Sequence, residues 1–285
     1  MAFENYLIHL GILITIYSIL TISLNLSLGF TGLMNLGHIA FFGIGAYTSA
    51  LVAIAGYPLW FSILAGAMLS GIIGLILGLP TARLKGDYLA LALLGFVFIL
   101  GSVARNLVSV TRGALGIPGI PTLTTNPSHF LILGIIISAI IYCISYYISI
   151  SRFGRILEAI RDDELAAQVL GHNTFLYKIA ALALSAGFAG IAGGLYAHYI
   201  SYIDPTIFGL GDLILVFSML IIGGLGSVKG SFVGTALLLL IPEPLRFLGF
   251  PSSIIGPIRE ILFAVILLCI LRYKPRGIFG KVDIL

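Results

Sequence analysis

The chain has 285 residues, of which 59% are hydrophobic and only 9% charged, with a formal net charge of +4 and a mean hydropathy of +1.15. A soluble domain carries about a quarter of its residues charged, so this composition excludes one and indicates an integral membrane protein with several spans. The apolar runs are continuous rather than alternating, which favours helices over a β-barrel, and the basic excess sits at membrane edges and calls for no nucleic acid.

In chain order, hydropathy places spans near Tyr6–Leu28, Ile39–Ala55, Leu59–Leu79, Tyr88–Leu107, Phe130–Ile150, Ile179–Ile200, Leu213–Leu225, Ser231–Leu248 and Ile254–Leu271. The expected fold is all-α, a polytopic transmembrane bundle of about nine spans (eight to ten), with residues 1–285 as a single domain. The second and seventh spans are short and Gly-rich, so a break or a tilt is expected there. The opening MAFENYLIHLGILI lacks a basic region and a small-residue cleavage site, so a removable signal peptide is not expected. Asn25, Asn35 and His38 cluster around the second span. Asn35 and His38 share a face if that stretch is helical, and so do His198 and Tyr202. These five side chains either line a pathway, cap a broken helix or bond to a neighbour.

Between Val108 and Ser128 the run TRGALGIPGIPTLTTNP holds Pro118, Pro121 and Pro127 with Gly113, Gly116 and Gly119, which forbids a regular helix. Gly74 and Gly78, Gly190 and Gly194, and Gly226, Gly230 and Gly234 recur every four residues, a spacing that lets membrane helices approach closely. Ala183 and Gly187 extend the Gly190 face. Cys143 and Cys269 both lie in apolar runs and read as small buried hydrophobes.

The charges are concentrated rather than scattered. The sequence holds 15 Lys and Arg and 11 Asp and Glu. Eight of them, Arg152, Arg155, Glu158, Arg161, Asp162, Asp163, Glu164 and Lys178, fall in the loop at about 151–178 between two apolar spans. Within it, Asp162 or Asp163 can cap a short helix. Leu165 pairs with Val169 and Ala166 with Leu170 on its apolar face, and Gly171 supplies a stop. Three adjacent acids suit an anionic lipid surface badly, so the helix reads as a docking element for a protein in water. Setting this loop in the cytoplasm also puts Arg83, Lys85, Lys229, Arg272, Lys274, Arg276 and Lys281 inside. It leaves Arg105, Arg112, Arg246 and Arg259 outside, as the positive-inside rule requires, with the N-terminus outside.

The pattern Glu164-x-Ala166-Ala167-x-x-x-Gly171 resembles the EAA loop of ABC-importer permeases. The wider run GRILEAIRDDELAAQVLGHNTFLYKIAALALSAGFAGIAGGL resembles the branched-chain amino-acid permease family, particularly its LivM type. So do GFTGLMNLGHIAFFGIGAYTSA, LKGDYLALALLGF, DPTIFGLGDLILVFSMLIIGGLGSVKGSFVGTAL and RYKPRGIFG, in the right order over most of the chain. One departure is Arg112, where the family more often has glycine. The resemblance implies the ABC-importer permease fold and one half of a translocation pathway for branched-chain or other small amino acids. It also implies two cytoplasmic ATPases that grip the loop carrying Arg155 to Gly171, a second permease that is homologous or identical, and an external solute-binding protein. The setting would be the inner or plasma membrane of a prokaryote. No cofactor is expected in this chain. ATP and Mg belong to the ATPases, because GxxxxGK[ST] is absent and GSVKGS has the wrong order. The chain is then not itself an enzyme. Urea, amide or sugar import remains open within the class. Outside it stands an ion- or proton-coupled carrier, which would want a midplane acid, whereas Asp87, Asp204 and Asp212 fall at span edges.

Overall fold

The computed structural model describes residues 2–84, 86–124, 126–244 and 252–280. It is a helical bundle: α1 (Ala2–Asn25), continued by a π-helical turn (Leu26–Phe30), α2 (His38–Ile54), α3 (Leu59–Thr81), α4 (Asp87–Asn106), α5 (Val108–Thr111), α6 (Pro127–Ile150), α7 (Arg152–Asp162), α8 (Glu164–Val169), α9 (Thr174–Ile200), α10 (Leu210–Gly223), α11 (Val228–Leu240) and α12 (Ser252–Tyr273). Two short strands, β1 (Ile117–Pro118) and β2 (Tyr202–Ile203), pair antiparallel. Each expected span is represented by a helix; the end of the expected Ser231–Leu248 span, with Lys85, Arg246 and Lys281, lies outside the described residues.

On the outer helices α3 and α6 the side chains are distributed inside out relative to a soluble protein. On α3 the outward face carries Trp60, Leu64, Met68, Ile72 and Ile76, while Ser62, Gly66, Ser70, Gly74 and Gly78 are buried. On α6 Ile132, Ile136, Ile140 and Tyr147 face outward, over buried Gly134, Ser138 and Ser145. In water such apolar stripes would drive aggregation. In a bilayer the large residues meet lipid, and the small ones let helices touch. Among the described residues, five helices are long and apolar enough to cross a membrane, namely α1 with its π turn, α3, α4, α6 and α9, and α2, α10 and α11 are shorter. The chain is a membrane protein. Cys143 and Cys269 are both exposed on this outer surface, which corrects the expectation that they are buried. Sulfur and a small apolar side chain are equally at home against hydrocarbon.

Helices α2, α3 and α9 form the tightest group. A Cβ on Gly190 would stand 2.7 Å from Ser70 Oγ and 2.9 Å from Gly66 O of α3. Gly45 of α2 lies against the Gly190 backbone, and Gly194 faces Ser49 of α2. Gly74 faces Ala183 and Ala186, and Gly71 faces Gly187. Gly230 and Gly234 of α11 pack against Gly223 of α10, and Gly226 occupies the turn between the two at φ +73°.

The two ends of the bundle differ. At one end sit the end of α1, the α3–α4 turn, α7, α8 and the start of α9, with Arg83 5.4 Å over the Phe175 ring. At the other, β1 and β2 pair and His198 reaches the 107–126 connection. That connection holds a helical turn at Val108–Thr111 and a 3-10 turn at Gly113–Leu115 before β1, more order than its prolines suggest. Helices α10 and α11, of 14 and 13 residues, are about 20 Å long and shorter than the about 30 Å hydrocarbon core. The tail after α12 folds beneath their turn: Ile278 N–H donates to Ile222 O and Phe279 N–H to Gly223 O, both at 3.0 Å.

Candidate functional site

The charged loop folds as two helices rather than one. Ser151 caps α7 by accepting from Gly154 N–H at 3.2 Å. Helix α7 buries Gly154, Leu157 and Ile160 and turns Arg152 and Arg155 outward. Arg155 also donates to Ile150 O at 2.9 Å, closing the C-terminal carbonyls of α6. Asp163, extended and outside both helices, caps α8: its Oδ1 accepts from Leu165 N–H at 2.9 Å and Ala166 N–H at 3.0 Å. Gly171 ends the segment at φ +87° with its N–H on Gln168 O. A helix of six residues is marginal by itself, and side chains hold this one to α9. Glu164 Oε1 lies 2.7 Å from Lys178 Nζ and accepts from Thr174 Oγ1 at 3.1 Å, while Gln168 donates to Thr174 Oγ1 at 3.0 Å.

Helix α8 is thereby fixed with its apolar side outward. Only Ala167 is buried; Leu165, Val169 and Leu170 are 63%, 87% and 75% exposed, and Ala166 is exposed beside them. The acids around this patch differ in role. Asp162 and Asp163 are exposed, Glu158 is half-buried, and Glu164 is turned inward onto Lys178. Sequence reading counts Lys178 as one more charge of the loop; its partner fourteen positions earlier is visible only once α8 is laid on α9.

Arg161 also turns inward. Its side chain is 15% exposed; Nε and Nη2 contact Asp162 Oδ1, each at 2.9 Å, and Nη1 donates to Gly29 O at 2.9 Å. A cleft of about 280 Å³ runs beside it, between Thr31–Leu33, the α3–α4 turn and α7–α8.

Three buried hydrogen-bonded groups gather the candidate polar residues of the spans, around His38, Asn25 and His198. His38 opens α2, and its Nε2 meets Leu20 O at 3.1 Å and Ser23 Oγ at 2.9 Å. Its Nδ1 faces Asn35 Nδ2 at 3.4 Å and Ser185 Oγ at 3.5 Å. Asn35 lies before α2 in the irregular 31–37 segment, so the two do not share a helix face, yet they touch. Asn35 Oδ1 is buried without a partner, a cost of about 1–3 kcal/mol that marks this segment as constrained. Asn25 is fully buried; it donates to Ser227 O at 2.9 Å and Ser231 Oγ at 2.8 Å and accepts from Gly226 N–H at 3.0 Å. At the opposite end His198 Nε2 lies 2.9 Å from Ser49 Oγ and 3.0 Å from Ser62 Oγ, and Nδ1 lies 2.7 Å from Pro121 O. Tyr202 does not share a helix face with it. Helix α9 ends at Ile200, Ser201 takes φ +58°, and Tyr202 enters β2 with its hydroxyl donating to Leu115 O at 3.2 Å. Among the described residues, no group of three or more His, Cys, Asp or Glu side chains is placed to hold a metal ion.

A sequence model of the family described as "Branched-chain amino acid transport system / permease component" matches residues 6–271. The chain is 32% identical over 262 residues to the high-affinity branched-chain amino acid transport system permease protein LivM of Salmonella typhimurium, covering 81% of this chain and 61% of that protein. It is 31% identical to the Escherichia coli protein of the same name, covering 84% and 63%. The chain thus spans about three fifths of the length of these two relatives. With the probable branched-chain amino acid transport permease protein LivM of Methanocaldococcus jannaschii it shares 26% identity over 95% of this chain and 92% of the relative. No solved structure matches the chain.

Proposed function

The chain belongs to the family of branched-chain amino acid transport system permease components, and from that premise we propose that it is the membrane permease of an ATP-driven importer. Its solutes are branched-chain or other small amino acids, and it forms half of the translocation pathway. The observation that carries the coupling half of this reading is the exposed apolar patch of Leu165, Val169 and Leu170. It sits on a helix capped at Asp163, stopped at Gly171 and clamped to α9 by Glu164 and Lys178. A patch that is rigid, apolar and flanked by acids suits a groove on a soluble partner. That partner is a pair of ATPases carrying the ATP and Mg, since this sequence has no phosphate loop. A second permease, homologous or identical, completes the pathway, and an external binding protein delivers the solute. The site of action is the inner or plasma membrane of a prokaryote.

The test replaces Val169 with Glu. It removes apolar contact at the most exposed position of the patch and touches nothing inside the chain, so membrane insertion stays normal. Co-purification with the ATPase and ATP-driven uptake should both fall by at least about tenfold, the effect of losing a buried interface anchor. Retention of both in the variant would contradict docking through α8.

A further inference from the structure

Arg161 lies in the charged loop, yet it points away from the exposed patch and into the bundle. Its Nη1 donates to Gly29 O, at the end of the π turn that closes α1. Helix ends leave carbonyls without partners, and a cation there is favourable. The contact is wider than one bond, because Gly32, at φ +72°, packs on the Arg161 stem, where a Cβ would stand 3.0 Å from Cγ. Gly29 is in turn the point where α1 meets the α10–α11 turn. A Cβ there would collide with Asn25 Oδ1 and stand 2.6 Å from Gly226 N. Asn25 completes the junction by holding Gly226 N–H, Ser227 O and Ser231 Oγ. One unbroken set of contacts therefore runs from α7, through the π turn, to the α10–α11 hairpin. A π turn is one of the few places where a helix kinks, and a helical pair of 13 and 14 residues beside it is short enough to move as a unit.

We propose that Arg161 is a positioning residue that transmits displacement of the charged loop to the α10–α11 hairpin through Gly29 and Asn25. Its transport role rests on the importer reading above; the linkage itself does not. When a partner draws α8 outward or releases it, α7 moves with it and Arg161 carries the Gly29 carbonyl along. The π turn absorbs the change, and Asn25, one turn earlier, pulls the 224–227 turn. Arg161 thus faces inward to the pathway-forming helices, while Leu165, Val169 and Leu170 face the partner.

Hydrogen exchange on the purified whole chain in nanodiscs tests this without any transport assay. In Arg161→Gln the segment 224–230, which Asn25 holds at Gly226 and Ser227, should exchange about tenfold faster, the size of effect expected for groups coupled through one network. Arg161→Lys, which keeps a cationic donor for the helix-end carbonyl where Gln has only a neutral one, should restore part of the protection. In an Asn25→Ala background, where the turn is already loosened, Arg161→Gln should add nothing. A simple C-terminal cap would loosen residues 26–33 and leave 224–230 protected. That result would overturn the proposal, as would an undiminished effect in the Asn25→Ala background. Should Arg161→Gln fail to insert, Asp162→Asn loosens the guanidinium from the exposed side, and its exchange over 224–230 decides in the same way. In the complete transporter, uptake per ATP hydrolysed should fall about tenfold in Arg161→Gln. Normal uptake would remove the positioning role and leave the importer reading intact. Failure of the unaltered complex to import with ATP would remove the importer reading, with the exchange result still deciding the linkage.

Discussion

Gly190 is where α2, α3 and α9 come closest, with Gly45 on one side and Gly66 and Ser70 on the other. A Cβ there would meet Ser70 Oγ at 2.7 Å, Ser70 Cβ at 2.8 Å and the Gly66 carbonyl oxygen at 2.9 Å, and neither a Cβ nor a backbone oxygen can step aside as the far end of a flexible side chain can. Gly190→Leu should therefore force the helices apart at a cost of about 3 kcal/mol or more, above the usual range for overpacking. The check is the melting temperature and the folded yield in detergent. Glu164 and Lys178 give a milder case. Lys178 is almost wholly buried and Glu164 about a quarter exposed, so the pair is worth less than a fully buried one. Lys178→Met should cost about 1–3 kcal/mol and loosen α8 from α9. It should weaken ATPase association by the same route as Glu164→Arg, through the position of α8 rather than through a lost contact with the partner. An exchange measurement over 164–171 checks this, with faster exchange expected in both variants. At this scale the sequence discloses local chemistry. The Asp163 cap and the Gly171 stop rest on neighbours a few positions away and are legible from spacing alone. The Glu164–Lys178 pair and the turn of Arg161 towards Gly29 are not, because they depend on how helices distant in the chain are laid together.

Elements whose boundaries follow from hydropathy sit within a few residues of where the apolar runs place them, and α6, running Pro127–Ile150, is the clearest example. Pro127 at its first turn and Asn126 as its cap, accepting from Ser128 N–H at 3.0 Å, explain why it starts there. Elements that end by tertiary contact are less legible. Helix α9 stops at Ile200 because Ser201 turns left-handed and Tyr202 pairs with Pro118, so His198 and Tyr202 part company although their spacing fits a helix. The 31–37 segment carries Gly32, at φ +72°, and Gly37, so a break there is legible; its seating against the π turn and the His38 cluster is not. The alternation of helices gives a testable orientation. With Cys143 and Cys269 replaced, since both are exposed, single cysteines at Arg152 and Leu115 report the two ends; Leu115 is 79% exposed and free of the tight packing at Gly116. An impermeant reagent added to intact cells should label the Leu115→Cys variant and spare Arg152→Cys. Labelling of position 152 from outside would invert the orientation.

As a whole, the molecule packs a core that mixes large apolar residues such as Phe41 and Phe42 with small and polar ones, presents further large apolar residues on its outer surface, and gathers much of its charge at one end in a loop that is half clamp and half exposed patch. The membrane class and helical fold are legible from composition, because lipid leaves the backbone few choices. The division of the charged loop into an outward α8 and an inward Arg161 is not, because both readings use the same residues. The central claim is that solute movement through this chain draws its free energy from ATP bound by partner subunits. A partner can shift an equilibrium between two states only by its differential affinity for them, and α8 is the surface through which that difference would be applied. The most direct measurement is solute uptake into proteoliposomes. Vesicles holding this chain with its ATPases, the second permease and the binding protein should accumulate branched-chain amino acids when ATP is supplied to the ATPases. Vesicles holding this chain alone should accumulate none under an imposed proton or sodium gradient. Robust accumulation by the chain alone under such a gradient would contradict ATP coupling and mark the protein as an ion-driven carrier.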